Sequence, residues 1–155
     1  MKIAALADLH VTLRSQNVYK DFFNKIGEYA DIVVMCGDLT DTGKVEEASI
    51  LARGMANCKI PILGVLGNHD YEQNEVEQIK EELAKNTSCR ILDGDGVVVN
   101  EVGFCGTKGF GGGFDEYMLS SWGEPATKAF VEESVREALR LDSALARLNT
   151  KKLWC

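Results

Sequence analysis

Six residues in three short stretches carry the side chains that could do chemistry together: Asp8 and His10; Asp38; and Asn68, His69 and Asp70. Each stretch ends an apolar run. Ile3-Ala4-Ala5-Leu6 precedes Asp8-Leu9-His10, Ile32-Val33-Val34-Met35 precedes Gly37-Asp38, and Ile62 to Leu66 precedes Gly67-Asn68-His69-Asp70. Mixed carboxylate, imidazole and amide donors suit Mn, Fe, Zn or Ni rather than a thiolate-bound structural zinc. Residues two apart in extended chain point to the same side, so Asp8 and His10 can grip one ion. A single carboxylate at Asp38 can bridge two ions, and Asn68 offers a neutral oxygen that adds no further charge. Gly37 and Gly67 let the backbone turn sharply before Asp38 and Asn68. Taken singly, an Asp at a strand end is most often a helix cap, and the plain alternative for His69 is a helix-capping or hydrogen-bonded surface histidine. Three such stretches in this order, each after a buried-looking strand, point to a metal site instead.

The elements that must position these residues follow from periodicity. The three apolar runs predict strands of the kind buried on both faces in parallel sheets. Val18, Phe22, Phe23, Ile26 and Tyr29 repeat at helical spacing, as do Val45, Ala48, Leu51, Ala52 and Met55, with Thr42 as a cap. Asn74 and Glu77 fit a capping box before the stripe Val76, Ile79 and Leu83. Strand and helix thus alternate three times, which predicts parallel strands with right-handed crossovers and functional groups at their carboxyl ends. From Cys89 the runs 90–92, 97–99 and 102–105 predict an antiparallel meander, with Asp93-Gly94-Asp95-Gly96 as a hairpin turn. A glycine-rich loop over 106–113 follows. Pro125 then opens a long amphipathic helix with Val131, Val135, Ala138, Leu141, Leu145 and Leu148 as its apolar stripe.

Composition bounds the class. With 155 residues, 45% hydrophobic and 26% charged, the chain is the size of one soluble α/β domain with a real core. A net charge of -7 and no Lys/Arg cluster argue against nucleic acid as partner. Five cysteines without C-x-x-C spacing suggest a reducing compartment, not a disulfide framework. No apolar run approaches membrane-spanning length and no signal peptide opens the chain, so the cytoplasm is expected.

The three motifs, Asp8-Leu9-His10, Gly37-Asp38-Leu39-Thr40-Asp41 and Gly67-Asn68-His69-Asp70, resemble the calcineurin-like metallophosphoesterases. That family's pattern is D-x-H, G-D, G-N-H-D or G-N-H-E, then a lone His and G-H-x-H. The resemblance implies a layered β-sandwich flanked by helices, a single domain over 1–155, and hydrolysis of phosphate mono- or diesters, small molecules or nucleotides, by metal-activated water. It implies two divalent ions, manganese foremost. Asp8 and His10 would hold the first ion, Asp38 would bridge, and Asn68 would belong to the second. His69 would meet the transition state or protonate the leaving oxygen, held in place by Asp70.

The chain also departs from the pattern. It has two histidines, His10 and His69, and neither the later lone His nor G-H-x-H. It is therefore expected to be the front part of such a domain, with one weak metal site, impaired activity, and either self-association or a complementing chain. Two other functions fit that shortage: a catalytically inactive binding or assembly domain, and one chain of a split enzyme. Lesser signals point to structure. Gly109 to Gly113 lacks the G-K-[ST] of a phosphate loop, Lys108 is expected to be solvated, and Asp93-x-Asp95 lacks the other ligands of a calcium loop. Asp41 is expected as a cap or as support for the ligands, Glu132 and Arg136 as a solvated pair, and Trp122 and Trp154 without a role.

Overall fold

Ile3–Leu6 (β1), Ile32–Cys36 (β2) and Ile62–Val65 (β3) pair in parallel, Ile3 opposite Ile32 and Val33 opposite Ile62. Between them run the short helix Lys20–Lys25 (α1) and the helix Val45–Met55 (α2). After β3 comes Val76–Ala84 (α3). The computed structural model describes residues 1–155 except 112, 114, 151 and 155, so part of the glycine-rich loop and Cys155 lie outside the described residues, as does the side chain of Trp154. The fold is mixed α/β, with two compact units, Met1–Leu92 and Asp93–Cys155.

The first unit holds a sheet of order β1-β2-β3-β4, its fourth strand (β4) being Cys89–Ile91. The interior strands β2 and β3 are buried from Ile32 through Met35 and from Ile62 through Gly64; β1 is an edge strand with Ala5 exposed, so burial on both faces does not hold for it. The core joins Val33, Met35, Ile62 and Leu66 to Phe23 of α1, Leu51 and Met55 of α2, and Ile79 and Leu83 of α3. Each such apolar side chain contributes roughly 1.5–3 kcal/mol on burial. Helix α1 is shorter than its apolar spacing predicts, because Val18 and Tyr29 are exposed and contribute nothing to that core.

Three local expectations fail for identifiable reasons. Asn74 takes a left-handed φ of 56°, the N-cap of α3 falls on Glu75 instead, and no side-chain cap forms; the Glu75 carboxylate accepts from the Val45 amide (3.1 Å). Cys89–Ile91 (β4) is not part of an antiparallel meander. Helix α3 returns the chain beside β3, and β4 adds in parallel, with Ile62 opposite Cys89. Nor is Thr42 the cap of α2: the N-cap is Lys44, without a side-chain cap bond, and the Thr42 amide and hydroxyl instead donate to the buried Glu47 carboxylate (2.9 and 3.0 Å).

The second unit holds the antiparallel pair Asp95–Val99 (β5) and Val102–Gly106 (β6), with Lys152–Trp154 (β7) parallel to β6. Its helix Pro125–Arg147 (α4) has Pro at its first turn, as the sequence predicts, but a different inner face. Glu137 and Ala144 are buried, while Val135 is 53% exposed. Glu137 accepts from the Thr107 hydroxyl and from Arg140 Nη1 (2.7 Å), and Arg140 also bonds Asp93. This polar network sets the rotation of the helix. Lys108 is not merely solvated but pairs with Glu133 at 2.6 Å, and Arg136 pairs with Glu133 rather than Glu132. Among the described residues no helix is long and apolar enough to cross a membrane.

Candidate functional site

Beyond their last paired residues, β1 and β2 stay in step. Asp8 N donates to Gly37 O (3.2 Å), His10 N to Asp38 O (3.0 Å) and Val11 N to Leu39 O (3.0 Å), while Asp41 N donates back to Val11 O (3.1 Å). Asp8, His10 and Asp38 all have left-handed backbone, with φ of 54°, 42° and 50°. That region is uncommon outside glycine, though Asp and His tolerate it better than most. The rungs between the two loops hold the strain, which is of a kind that collects at working sites.

The third strand end reaches the other two through a glycine. A Cβ at Gly67 would lie 2.8 Å from Asp38 Cγ and closer still to its Oδ1 and N, so no side chain fits there. That approach lets His69 N donate to Asp38 Oδ1 (3.1 Å). Asp70 closes the arrangement from beneath. Its carboxylate is fully buried and accepts from Leu39 N (3.1 Å), Thr40 N (2.7 Å), Thr40 Oγ1 (2.6 Å) and Gly67 N (2.8 Å). The loop after β2 is thereby bolted to the loop after β3.

Donor atoms of His10, Asp38 and His69 lie within 4.8 Å of one another, and the two imidazole rings meet edge to face with centroids 4.6 Å apart. His69 Nδ1 is 2.7 Å from the Asp41 carbonyl oxygen. A carbonyl only accepts, so Nδ1 carries the proton and Nε2 keeps its lone pair for a cation or substrate. His10 Nδ1 lies 3.4 Å from Asp41 Oδ1. Asp41 thus touches both rings, one through its backbone and one through its side chain. The Asp41 carbonyl is also the main cause of a His69 pKa raised above its ordinary value; desolvation opposes, and the charges of Asp38, Glu72 and Asp41 add to the rise.

Two imidazoles and a carboxylate at these separations fit a divalent cation of the first transition row, the class the donor types suggest. The grouping differs from the expected one. His69 joins His10 and Asp38, whereas Asp8 is exposed and outside the three. Asn68 is exposed at the start of the one-turn helix His69–Tyr71. Asp70 does not hold His69, because its oxygens are taken by Leu39, Thr40 and Gly67; Asp41 stands at the ring instead. Sequence reasoning placed Asp41 only generally among supporting groups, since a backbone carbonyl leaves no mark in residue type. Thr40 was missed, although its place two residues after Asp38 puts its hydroxyl on the same loop.

The profile of a family described as calcineurin-like phosphoesterases matches residues 1–136. A probable cyclic nucleotide phosphodiesterase of Xenorhabdus bovienii is 29% identical over 99 residues, 55% of this chain and 40% of that protein. Among solved structures, TT1561 of Thermus thermophilus superposes with a TM-score of 0.65 at 16% identity, over 93% of this chain and 61% of the other. A second superposes at 0.64 and 14% identity, over 98% and 66%. The chain therefore spans about two fifths of the curated relative and under two thirds of either structural neighbour. A profile that runs from the first strand well into the last helix, over the three motifs that build this cluster, settles the family: the chain belongs to the calcineurin-like phosphoesterases.

Proposed function

We propose that the protein is a metal-dependent phosphoesterase, acting on phosphate mono- or diesters, whose reaction centre is the cluster at the carboxyl ends of β1, β2 and β3. The observation that carries this is the convergence of His10, Asp38 and His69 donors within 4.8 Å. His10 and Asp38 would hold a divalent ion, manganese foremost, with Asp8 and Asn68 at its margins as the expected further ligands. When bound, such an ion stabilises charge on a phosphoryl oxygen and lowers the pKa of water. The rest falls to the chain's own side chains. Asp41 fixes the His69 tautomer, so that the imidazole presents Nε2 to the substrate. Once protonated, His69 is suited to give the leaving oxygen its proton, a contribution of typically 10²–10⁴ in rate. Asp70, locked in its four hydrogen bonds, keeps the two loops in register and takes no part in proton transfer.

The named activity of the Xenorhabdus relative supports a phosphodiester, with nucleotides among the substrates. The free thiols at Cys36, Cys58, Cys89 and Cys105 support a reducing compartment, the cytoplasm. These 155 residues contain two histidines, and both already belong to the one cluster. That favours weak binding of one ion and low turnover by this chain alone, and it keeps a second reading in view: a phosphoesterase-like domain that binds without turnover.

Titration calorimetry with Mn²⁺ and hydrolysis of bis(p-nitrophenyl) phosphate, on the native chain and on Asp38→Asn, test the proposal. The expected result is one manganese site with measurable hydrolysis, both lost in the variant. Binding without hydrolysis would select the second reading, and hydrolysis that survives Asp38→Asn would defeat the first.

A further inference from the structure

The outward face of α4 has a symmetry in its sequence. Val135 and Leu139 are 53% and 61% exposed, and Val131 is half-buried. They line a groove of about 610 Å³ whose charged lining residues are Glu132, Arg136, Arg140 and Arg147. One turn further out in each direction the same stripe reaches Lys128 and Asp142, both exposed. The order is mirrored about Val135: an apolar residue four positions away on either side, and a charge seven positions away, positive before and negative after. Steps of three and four keep all five positions on one face over about 21 Å.

We propose that this face is a homodimer interface, on which α4 of a second copy lies antiparallel across a two-fold axis at Val135. That placement sets Val135 on its own counterpart, Val131 of each copy against Leu139 of the other, and Lys128 of each against Asp142 of the other. The same patch then serves both copies, as an isologous contact requires. Charge selects this arrangement over the parallel one, which would place Lys128 on Lys128 and Asp142 on Asp142. The apolar residues supply attraction and the flanking pairs fix direction and register, as flanking charges do between paired helices. The second copy is the occupant the surface fits, because no other partner is required to carry the complementary charges. The inference does not depend on the phosphoesterase reading, since none of its residues belongs to the metal cluster.

Sedimentation equilibrium of the full chain, with circular dichroism to check folding, tests it through Lys128→Glu, Asp142→Lys and the double variant. All the altered positions are exposed, so each variant is expected to fold. The native chain should be a reversible dimer. At 0.15 M salt, where the repulsion between whole chains is largely screened, each single reversal should weaken it about tenfold, because two attractive pairs become repulsive, and the double variant should return to within about threefold of native. A native chain that is monomeric at hundreds of micromolar would overturn the proposal. So would association that ignores the single changes, or a double variant no stronger than the singles.

Discussion

At the scale of single residues, Asp70 is the side chain on which the cluster's shape depends most. It reaches no substrate and carries no donor to the three-residue group, yet four hydrogen bonds end on its two oxygens. Bonds to a charged group are worth about 1.5–3 kcal/mol each, and a buried donor left without its partner costs the desolvation of that group. Asp70→Asn keeps the volume but turns one end of the side chain into a donor facing backbone N–H groups. We expect a loss of about 3–4 kcal/mol in urea unfolding, with Thr40→Val, which removes only the hydroxyl bond, costing about 1 kcal/mol. Equal, small losses in the two variants would mean that Asp70 does not bolt the loops together. Its burial separates it from His69, whose proton bookkeeping belongs to Asp41.

At the scale of elements, the polar network on the inner face of α4 shows why periodicity located the helix but misjudged its rotation. The extent of the helix was legible, and so was Pro125 at the first turn. The preference of Glu137 for Thr107 and Arg140 was not, because an acid among aliphatic residues reads as solvated until a partner is known. Burial alone would raise the Glu137 pKa, but the hydrogen bonds from Thr107 and Arg140 and the charges of Arg140 and Lys108 outweigh it, and the net shift is downward. A carboxyl lowered on folding adds stability above its unfolded pKa, and that stability is lost as pH falls through the folded value. Glu137→Gln should therefore cost about 2 kcal/mol at pH 7, and the gap should close as pH drops below the ordinary glutamate value of 4.5. Melting both forms between pH 3 and 7 checks this; a gap that widens in acid would reverse the assignment. The same limit applies elsewhere. The three strands that carry the candidate ligands were legible because four or more apolar residues run together in each. The parallel placement of β4 was not, since three residues carry too little pattern to say which neighbour they join. At the site, residue types pointed to Asp38, His10 and His69, whose donors the structure brings within 4.8 Å of one another, whereas the approach of both rings to Asp41 depends on backbone geometry that residue type does not encode.

For the whole molecule, the acidic balance bears directly on whether two copies can meet. Each chain carries a net charge of -7. Two such bodies with centres about 40 Å apart repel by about 5 kcal/mol in water without salt. The four charges that flank the proposed interface gain about 1 kcal/mol for each close pair at 4 Å in the same medium. At low ionic strength the long-range repulsion therefore wins. Salt removes the two effects unequally: at 0.15 M the screening length is about 8 Å, far shorter than the distance between centres but longer than a contact pair. Raising salt from about 10 mM to 150 mM should strengthen the dimer, since repulsion fades first. A further rise to about 1 M, where screening reaches 3 Å, should weaken the Lys128–Asp142 pairs and leave only apolar contact to hold the copies. Sedimentation across that range should show the tightest association at intermediate salt in the native chain. In a variant carrying Lys128→Glu the high-salt weakening should vanish, because its flanking contacts are repulsive and gain from screening. Association that only weakens with salt from the lowest concentration upward would mean that contact charges, not the overall acidity, govern the encounter.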